Sequence, residues 1–231
     1  MSIELVRDNG RNVLLMTSPE ARAAILASIV SGIVKSEPST SIVYFDGTRV
    51  DDAQSLTPWL SDAGIETSVV KVRDSEAEMA RLNELIQQRG DHDQEVSPVL
   101  VVVDPLERFR DLRQEENFNF SLDAAAASVD GSVAFQNVLR DGPQANVFVL
   151  LVCGSVETLS RWLPRASQHD LELRILGQMN ASDSALLIDS PVASDLSAAT
   201  MLLYDDSDGR IAKFRQCDLP DPAAVKKWLS S

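Results

Sequence analysis

The sequence alternates between short, uninterrupted apolar runs and longer amphipathic segments. The runs are rich in β-branched residues, so each predicts a strand that is buried on both faces, as in a parallel sheet. The amphipathic segments place apolar residues three and four positions apart, the spacing of a helix packed on a sheet. We predict strands at residues 12–17, 41–46, 66–72, 99–104 and 146–152, and helices at 19–35, 51–63, 75–88, 132–140 and 156–163.

The C-terminal third departs from this alternation. We predict a strand at 171–176, a helix at 182–188, a hairpin of strands 201–204 and 210–214, and a helix at 222–229. The turn Asp208-Gly209 is a strong hairpin signal. The fold class is therefore α/β: a mostly parallel central sheet with helices on both faces, right-handed crossovers and a C-terminal β-hairpin. We expect one domain over residues 1–231.

Composition narrows the class of protein. The 231 residues include 35 acidic and 21 basic side chains, for a net charge of −14. Such a surface repels phosphate backbones, so DNA contact would need a local basic patch or other subunits. No apolar segment has transmembrane length and the N-terminus lacks a signal-peptide pattern, so we expect a cytoplasmic chain without a membrane segment. Two cysteines and two histidines leave little from which to build a zinc site.

The strand at 99–104 carries the main candidate for chemistry. Five apolar residues precede Asp104, which ends the strand. A carboxylate at the C-terminal end of a buried parallel strand lies at the rim where open α/β sheets bind ligands. In P-loop NTPases this position belongs to the aspartate that holds Mg²⁺. A simpler interpretation is that Asp104 caps the loop that contains Pro105, and the strand alone does not decide between the two.

Residues 171–216 resemble the C-terminal part of the motor domain of FtsK/SpoIIIE DNA translocases. The matching pieces are Asp183-Ser184, Leu187-Ile188-Asp189, the strand at 201–204 and the turn Asp208-Gly209-Arg210, and residues 141–147 resemble the segment before the family's sensor strand. The resemblance implies a RecA-like P-loop NTPase fold. It places residues 12–17 at the Walker A strand and residues 99–104 at the Walker B strand.

The phosphate-binding loop departs most from the family. The family's loop is glycine-rich and ends in Gly-Lys-Ser/Thr, whose N–H groups and lysine hold the phosphates. Here the first strand leads directly into Thr17-Ser18-Pro19-Glu20-Ala21-Arg22, without glycine or lysine. Pro19 removes an N–H donor, and Glu20 places negative charge where a triphosphate would lie. If a nucleotide site exists, Thr17, Ser18 and Arg22 would line it and Asp104 would bind the metal. The simpler interpretation of Arg22 is an exposed helical residue.

The hydrolytic residues are altered as well. Pro105 stands where the family has its catalytic glutamate, and Glu107 follows two residues later, so it would serve as the catalytic residue only on a rearranged backbone. The sensor position reads Cys153-Gly154-Ser155 and lacks glutamine. Each of these parts contributes orders of magnitude to phosphoryl transfer. Three losses together argue against turnover.

We therefore expect a degenerate, non-hydrolysing ATPase-like module that contacts other ATPase subunits or domains of an FtsK-like assembly and needs no cofactor. Asp183, Ser184 and Asp189 would face the neighbouring subunit. Arg174 is a candidate trans-acting arginine, although an edge-strand salt bridge is its simpler interpretation. One alternative is an ATP-binding and ATP-hydrolysing DNA-translocase motor domain that uses ATP and Mg²⁺. Another is an acidic scaffold that binds basic proteins.

The segment at 108–119 is a candidate contact in each of these hypotheses. The cations Arg108, Arg110 and Arg113 alternate with Phe109 and Leu112, a combination that is enriched in interfaces. The same arginines would suit DNA in a pore, and we expect such contact only through the assembly. A solvated loop is the remaining interpretation.

Overall fold

The computed structural model contains a central sheet with helices packed on both faces. It describes residues 3, 5–48, 55–90, 96–114 and 130–231. The strands are β1 (Val13–Met16), β2 (Ser41–Asp46), β3 (Thr67–Lys71), β4 (Val99–Asp104), β5 (Val147–Val152), β6 (Leu173–Leu176), β7 (Thr200–Asp205) and β8 (Arg210–Arg215). The helices are α1 (Pro19–Ser36), α2 (Thr57–Asp62), α3 (Ser75–Arg89), α4 (Gly131–Asp141), α5 (Val156–Trp162), α6 (Arg165–Gln168), α7 (Ala181–Ile188) and α8 (Pro222–Leu229).

The strand order is β3-β2-β4-β5-β1-β6-β7-β8. Strands β1 to β6 pair in parallel, whereas β7 runs antiparallel to β6 and β8 antiparallel to β7. The predicted α/β class, with its mostly parallel sheet and C-terminal hairpin, is confirmed. The uninterrupted apolar runs explain the centre of the sheet, because β4 and β5 are buried at every position.

Some boundaries differ from the predicted ones. The helix predicted at 51–63 is the shorter α2, which has Pro58 in its first turn; residues 51–54 lie outside the described part. Helix α6 was not predicted, because four residues carry no apolar periodicity. Two 3₁₀ turns, Leu106–Arg108 and Arg110–Leu112, overlap the start of the arginine-containing segment at 108–119. Residues 115–129 lie outside the described part.

Two apolar layers cover the sheet, and they decide where the rim residues point. Helices α1 and α2 cover one face, and α3, α4, α5 and α7 cover the other. Successive residues of a strand serve opposite layers. In β4, Leu100 and Val102 belong to the α1 layer, and Val101 and Val103 to the opposite one. Continuing this alternation places the side chain of Asp104 on the α1 face.

None of the described helices combines the length and the apolar character that a membrane crossing requires.

Candidate functional site at the carboxyl ends of the central strands

The carboxyl ends of β4, β5 and β1 lie side by side at one edge of the sheet. Asp104 ends β4, and only Thr17 and Ser18 separate β1 from α1. This rim is where open α/β sheets bind ligands, between strands whose connections leave in different directions. The position predicted for Asp104 from the sequence is therefore the position that it has in the fold.

The turn from β1 into α1 uses its own backbone donors. Ser18 has extended backbone dihedrals, and its carbonyl accepts hydrogen bonds from the N–H groups of Ala21 and Arg22, both at 3.2 Å. Pro19 has no N–H group. Hydrogen bonds from the backbone N–H of Glu20 itself and from the Ser18 hydroxyl lower the pKa of the Glu20 carboxyl group. A carboxylate of the protein thus lies in the first turn of α1, where the helix dipole favours negative charge.

Asp104 is held by two side chains of the α1 face. The Nε atom of Arg22 lies 3.3 Å from Oδ1 of Asp104, and the Tyr44 hydroxyl donates a hydrogen bond of 2.7 Å to Oδ2. The Asp104 side chain is completely buried, and that of Arg22 is only 11% exposed. The carboxylate is therefore engaged beneath α1 and not with the loop that contains Pro105.

The prediction that Arg22 is an exposed helical residue is wrong. Positions 22, 25, 26 and 29 share one helical face, and Ile25, Leu26 and Ile29 are buried against the sheet. Arg22 continues that face by one turn toward the rim, where it reaches Asp104. The hydroxyl of Thr17 instead lies 3.6 Å from Sδ of Met201 on β7. Of the four predicted nucleotide-site residues, the structure joins Arg22 and Asp104.

Burial dominates the electrostatics of Asp104. It raises the pKa of this carboxyl group to about 6, and the Arg22 guanidinium and the Tyr44 hydroxyl offset the effect only in part. Burial and the Asp104 carboxylate also raise the pKa of Tyr44, which therefore remains a hydrogen-bond donor. The sequence interpretation missed Tyr44. The available signal was a phenol in the middle of a buried strand, since a buried Tyr hydroxyl usually finds a partner.

A second carboxylate lies beside Asp104 and is held differently. Asp46 is the register partner of Asp104 on β2. It accepts hydrogen bonds from Nζ of Lys71 at 2.8 Å and from Oγ1 of Thr57 at 3.1 Å. Burial acts to raise the pKa of Asp46, but the hydrogen bonds from Lys71 and Thr48 outweigh it, so that the pKa is lowered. This carboxylate was also absent from the predicted site.

These residues do not fit a resident metal ion. Among the described residues, no group of three or more His, Cys, Asp and Glu side chains could hold one. Mg²⁺ requires an octahedron of oxygen atoms, commonly completed by waters and substrate phosphates. At Asp104 one carboxylate oxygen faces a guanidinium and the other accepts from a phenol. The cation nearest to Asp104 among the described residues is thus a guanidinium of the protein, in an ion pair at Oδ1.

Glu107 lies in the first 3₁₀ turn after β4 and faces the loop that follows β5. A Cβ atom built on Gly154 would lie 2.8 Å from Oε1 of Glu107. Its Oε2 atom is buried and has no hydrogen-bond partner among the described residues. The neighbouring Cys153 thiol is buried too, which raises its pKa to about 12. The side chain thus approaches the altered sensor position, and a catalytic role for Glu107 stays a prediction.

Arg174 is engaged within its own chain. Its guanidinium donates hydrogen bonds to the carbonyl oxygens of Leu171 and Leu187 and to the carboxylate of Asp206. It also lies 5.7 Å from the centroid of the Tyr204 ring. The salt bridge to Asp206 is 3.1 Å long, and the Arg174 side chain is 11% exposed. A role in trans stays a prediction and would require these contacts to open.

The three predicted contact residues near α7 have different environments. Ser184 is fully buried; its hydroxyl donates to the carbonyl of Ser190 and accepts from the N–H of Ala193. Its side chain therefore fixes the turn after α7 and is not at the surface. Asp183 sits in the first turn of α7, and Asp189 ends α7 in the left-handed conformation with φ of 51°. Contact with a neighbouring subunit remains a prediction for the exposed Asp189 and the half-buried Asp183.

The arginine segment is partly folded into the core. Phe109 and Leu112 are both completely buried, so the prediction that they act as apolar anchors for a partner is wrong. The two 3₁₀ turns bring them against the sheet, where Phe109 meets Phe45 edge to face. The arginines remain at the surface: Arg108 donates to the carbonyl of Gly47, Arg113 lies over the Trp162 ring, and Arg110 is exposed. Residues 115–119 lie outside the described part.

Solved structures share this fold. The conjugation coupling protein TcpA of pCW3, in a monomer form with ATPgS, matches with a TM-score of 0.68 and 13% identity over 94% of this chain and 64% of that one. The cytoplasmic domain of the type VII secretion ATPase EccC from Thermomonospora curvata matches with a TM-score of 0.62 and 15% identity. The match covers 94% of this chain and 27% of the EccC chain. The DNA-packaging ATPase B204 of Sulfolobus turreted icosahedral virus matches with a TM-score of 0.58 and 11% identity. The match covers 93% of this chain and 100% of the B204 chain.

These matches confirm the predicted α/β fold, which this chain shares with the solved ATPases TcpA, EccC and B204. The chain spans less than two thirds of the TcpA and EccC chains, whereas it covers all of B204. Comparison with protein-family models gave no match, and comparison with curated protein sequences gave none either. The likeness lies in the fold, since no more than 15% of the aligned residues are identical in these three structures.

Proposed function

We propose that this chain is a non-hydrolysing, ATPase-like module that acts through contacts with other ATPase subunits or domains of an FtsK/SpoIIIE-type assembly. One observation carries the proposal: the ion pair of Arg22 and Asp104, with 3.3 Å between Nε and Oδ1, at the rim of an ATPase fold. In P-loop NTPases the corresponding aspartate holds Mg²⁺ for the triphosphate.

In this ion pair a cation that belongs to the protein, Arg22, stands where Mg²⁺ would stand in a P-loop NTPase. The Arg22 guanidinium supplies to Asp104 the positive charge that Mg²⁺ would supply. For a metal to enter, Arg22 would have to leave, and a guanidinium that leaves a buried carboxylate costs several kcal/mol unless it finds another partner. The Tyr44 hydroxyl holds the second oxygen at 2.7 Å and would have to move as well.

The short turn between β1 and α1 also opposes the binding of phosphate. A P-loop presents several free N–H groups and a lysine to the β- and γ-phosphates. Here the N–H groups of Ala21 and Arg22 donate to the Ser18 carbonyl, and Pro19 has no N–H group to offer. The Glu20 carboxylate adds repulsion toward a triphosphate. Metal binding and phosphate binding are thus opposed by separate residues.

The structural neighbours support a role within an assembly. The EssC structure from Geobacillus thermodenitrificans carries ATPases 2 and 3, and this chain covers 43% of it at a TM-score of 0.56. Modules of this fold therefore occur side by side in one chain. A partner ATPase domain is the natural neighbour for a module that keeps the fold without the site. With a net charge of −14, contact with DNA would come through that assembly.

Titration with a fluorescent ATP analogue, with and without Mg²⁺, tests the proposal. We expect no saturable signal up to millimolar analogue. Saturation at micromolar analogue that needs Mg²⁺ and is lost in Asp104→Asn would favour the alternative of a hydrolysing motor domain. Asp74→Asn, which alters an exposed carboxylate paired with Arg73, is the matched control.

A further inference from the structure

Strand β8 ends the sheet, and among the described residues it pairs only with β7. The N–H of Gln216 donates to the carbonyl of Ala199 at 2.9 Å, which fixes the phase of the antiparallel ladder. Even-numbered residues of β8 therefore face β7, and the backbone groups of Ile211, Lys213 and Arg215 point outward. An edge of this kind is a template for another strand.

The side chains along this edge are basic in an otherwise acidic protein. Arg210, Lys213 and Arg215 are all exposed. Among the described residues, Lys213 and Arg215 form no ion pair, and the nearest carboxylate to Arg210 is that of Asp208, at 4.0 Å. The edge thus presents outward N–H and C=O groups together with the positive charges of Lys213 and Arg215, which no ion pair among the described residues offsets.

An apolar groove opens beside the C-terminal end of β8. It has a volume of about 180 Å³ and lies between α1 and the chain at 214–217. Ile25 and Ile29 of α1 form one wall, and Phe214 forms the other. A strand added next to β8 would direct alternate side chains toward the α1 face. The groove is placed to receive one apolar side chain of such a strand.

We propose that β8 is a docking edge for an extended acidic segment of a partner protein. The segment adds to the sheet through the backbone groups of Ile211, Lys213 and Arg215, and its carboxylates pair with Lys213 and Arg215. One apolar side chain of the segment enters the groove beside Phe214. This mode of strand addition takes affinity from the main chain and specificity from charge and pocket.

The charge of the edge selects against two other occupants. In a symmetric pairing of two β8 strands centred on Lys213, like charges would lie directly opposite each other, which is destabilising. Edge lysines commonly protect against such self-association, and the same charges admit an acidic strand. DNA phosphates would pair with the cations but would leave the outward N–H and C=O groups without partners. An acidic peptide satisfies both sets of groups.

Substitution at Lys213 separates the contribution of the backbone from that of the charge. Lys213→Pro removes the outward N–H and leaves the β7–β8 hydrogen bonds intact, because proline is tolerated on edge strands whose N–H faces solvent. Lys213→Ala removes the same charge and keeps the N–H group. The probe is a fluorescein-labelled synthetic peptide of alternating glutamate and valine. Its fluorescence anisotropy is measured as the full chain is added. An alternating lysine and valine peptide is the control probe.

We expect the acidic peptide to bind and the basic one not to bind. Lys213→Pro should weaken binding by about tenfold relative to Lys213→Ala, since one hydrogen bond to the added strand is lost. In the wild type, amide exchange at Ile211, Lys213 and Arg215 should slow when the peptide is present, which tests the proposal even if the proline variant folds poorly. Unchanged exchange would overturn it. The proposal would also be overturned if a duplex DNA oligonucleotide displaced the peptide and bound Lys213→Pro and Lys213→Ala equally. None of these results depends on the Arg22–Asp104 site.

Discussion

Asp46 and Asp104 are register partners at the carboxyl ends of adjacent strands, yet their pKa values shift in opposite directions. Asp46 receives hydrogen bonds from a lysine and from threonine hydroxyls, which outweigh its burial. Asp104 is stabilised by one guanidinium and one phenol, and the effect of burial on its pKa is larger than theirs. The carboxylate that would bind metal in a P-loop NTPase is thus the less stabilised of the two.

The raised pKa of Asp104 predicts a pH-dependent stability. The folded state binds this proton more tightly than the unfolded state, whose Asp pKa is about 3.9, so stability falls as the pH rises from about 4 to 6. In that window the free energy of unfolding of the wild type should fall by about 2–3 kcal/mol relative to Asp104→Asn. Urea unfolding at a series of pH values measures the difference. Parallel profiles for the two proteins would refute the prediction.

Asp46→Asn is the matched control for the pH experiment. The pKa of Asp46 is lowered on folding, so its contribution is present above the pKa of the unfolded state and is lost as the pH falls through the folded pKa. Relative to Asp46→Asn, the wild type should therefore gain stability as the pH rises through the acidic range. The two variants must show slopes of opposite sign in the same assay.

Removing the cation of the ion pair should destabilise the chain. Arg22→Met keeps an apolar stem but leaves Asp104 buried without its counter-charge, which should cost about 3 kcal/mol at neutral pH. The double variant Arg22→Met with Asp104→Asn should recover part of this loss, because no buried charge is left alone. Guanidinium unfolding reports the differences. Arg73→Ala, in a pair whose arginine is 86% exposed, should change stability by less than about 1 kcal/mol. If Arg22→Met is equally neutral, the ion pair is not formed in solution.

Arg174 should prove structural in the isolated chain. Arg174→Ala removes hydrogen bonds to the carbonyls of Leu171 and Leu187 and the pair with Asp206, and we expect a loss of about 2 kcal/mol. Thermal unfolding measures it. Arg165 is exposed and lines the same surface cavity as Arg174, so Arg165→Ala serves as the control. An Arg174→Ala protein as stable as the wild type would leave the guanidinium available for a role in trans.

Ser184 should also act on stability and not on surface contacts. Ser184→Ala leaves the Ala193 N–H and the Ser190 carbonyl without the partner they have now, at an expected cost of about 1–3 kcal/mol. Ser194 is only half-buried and its hydroxyl donates to the carbonyl of Pro191, so Ser194→Ala offers the control, with a smaller expected effect. Equal unfolding temperatures for the two variants would contradict this assignment.

The strands of the central sheet could be predicted because their apolar runs are uninterrupted, and Asp104 followed from the end of one run. The contact of Arg22 with Asp104 was not predicted, because an arginine in the first turn of a helix is ordinarily exposed. Its phase with Ile25, Leu26 and Ile29 was the available signal. Phe109 and Leu112 were misplaced for another reason, since 3₁₀ turns carry no long periodicity and their burial depends on tertiary packing.

The most direct test of the central claim is a crystal structure of this chain grown with Mg²⁺ and ATP at millimolar concentration. We predict that Nε of Arg22 stays on the carboxylate of Asp104 and that no nucleotide lies over residues 17–22. A triphosphate bound at that turn, with a metal ion on Asp104 and Arg22 displaced, would contradict the claim.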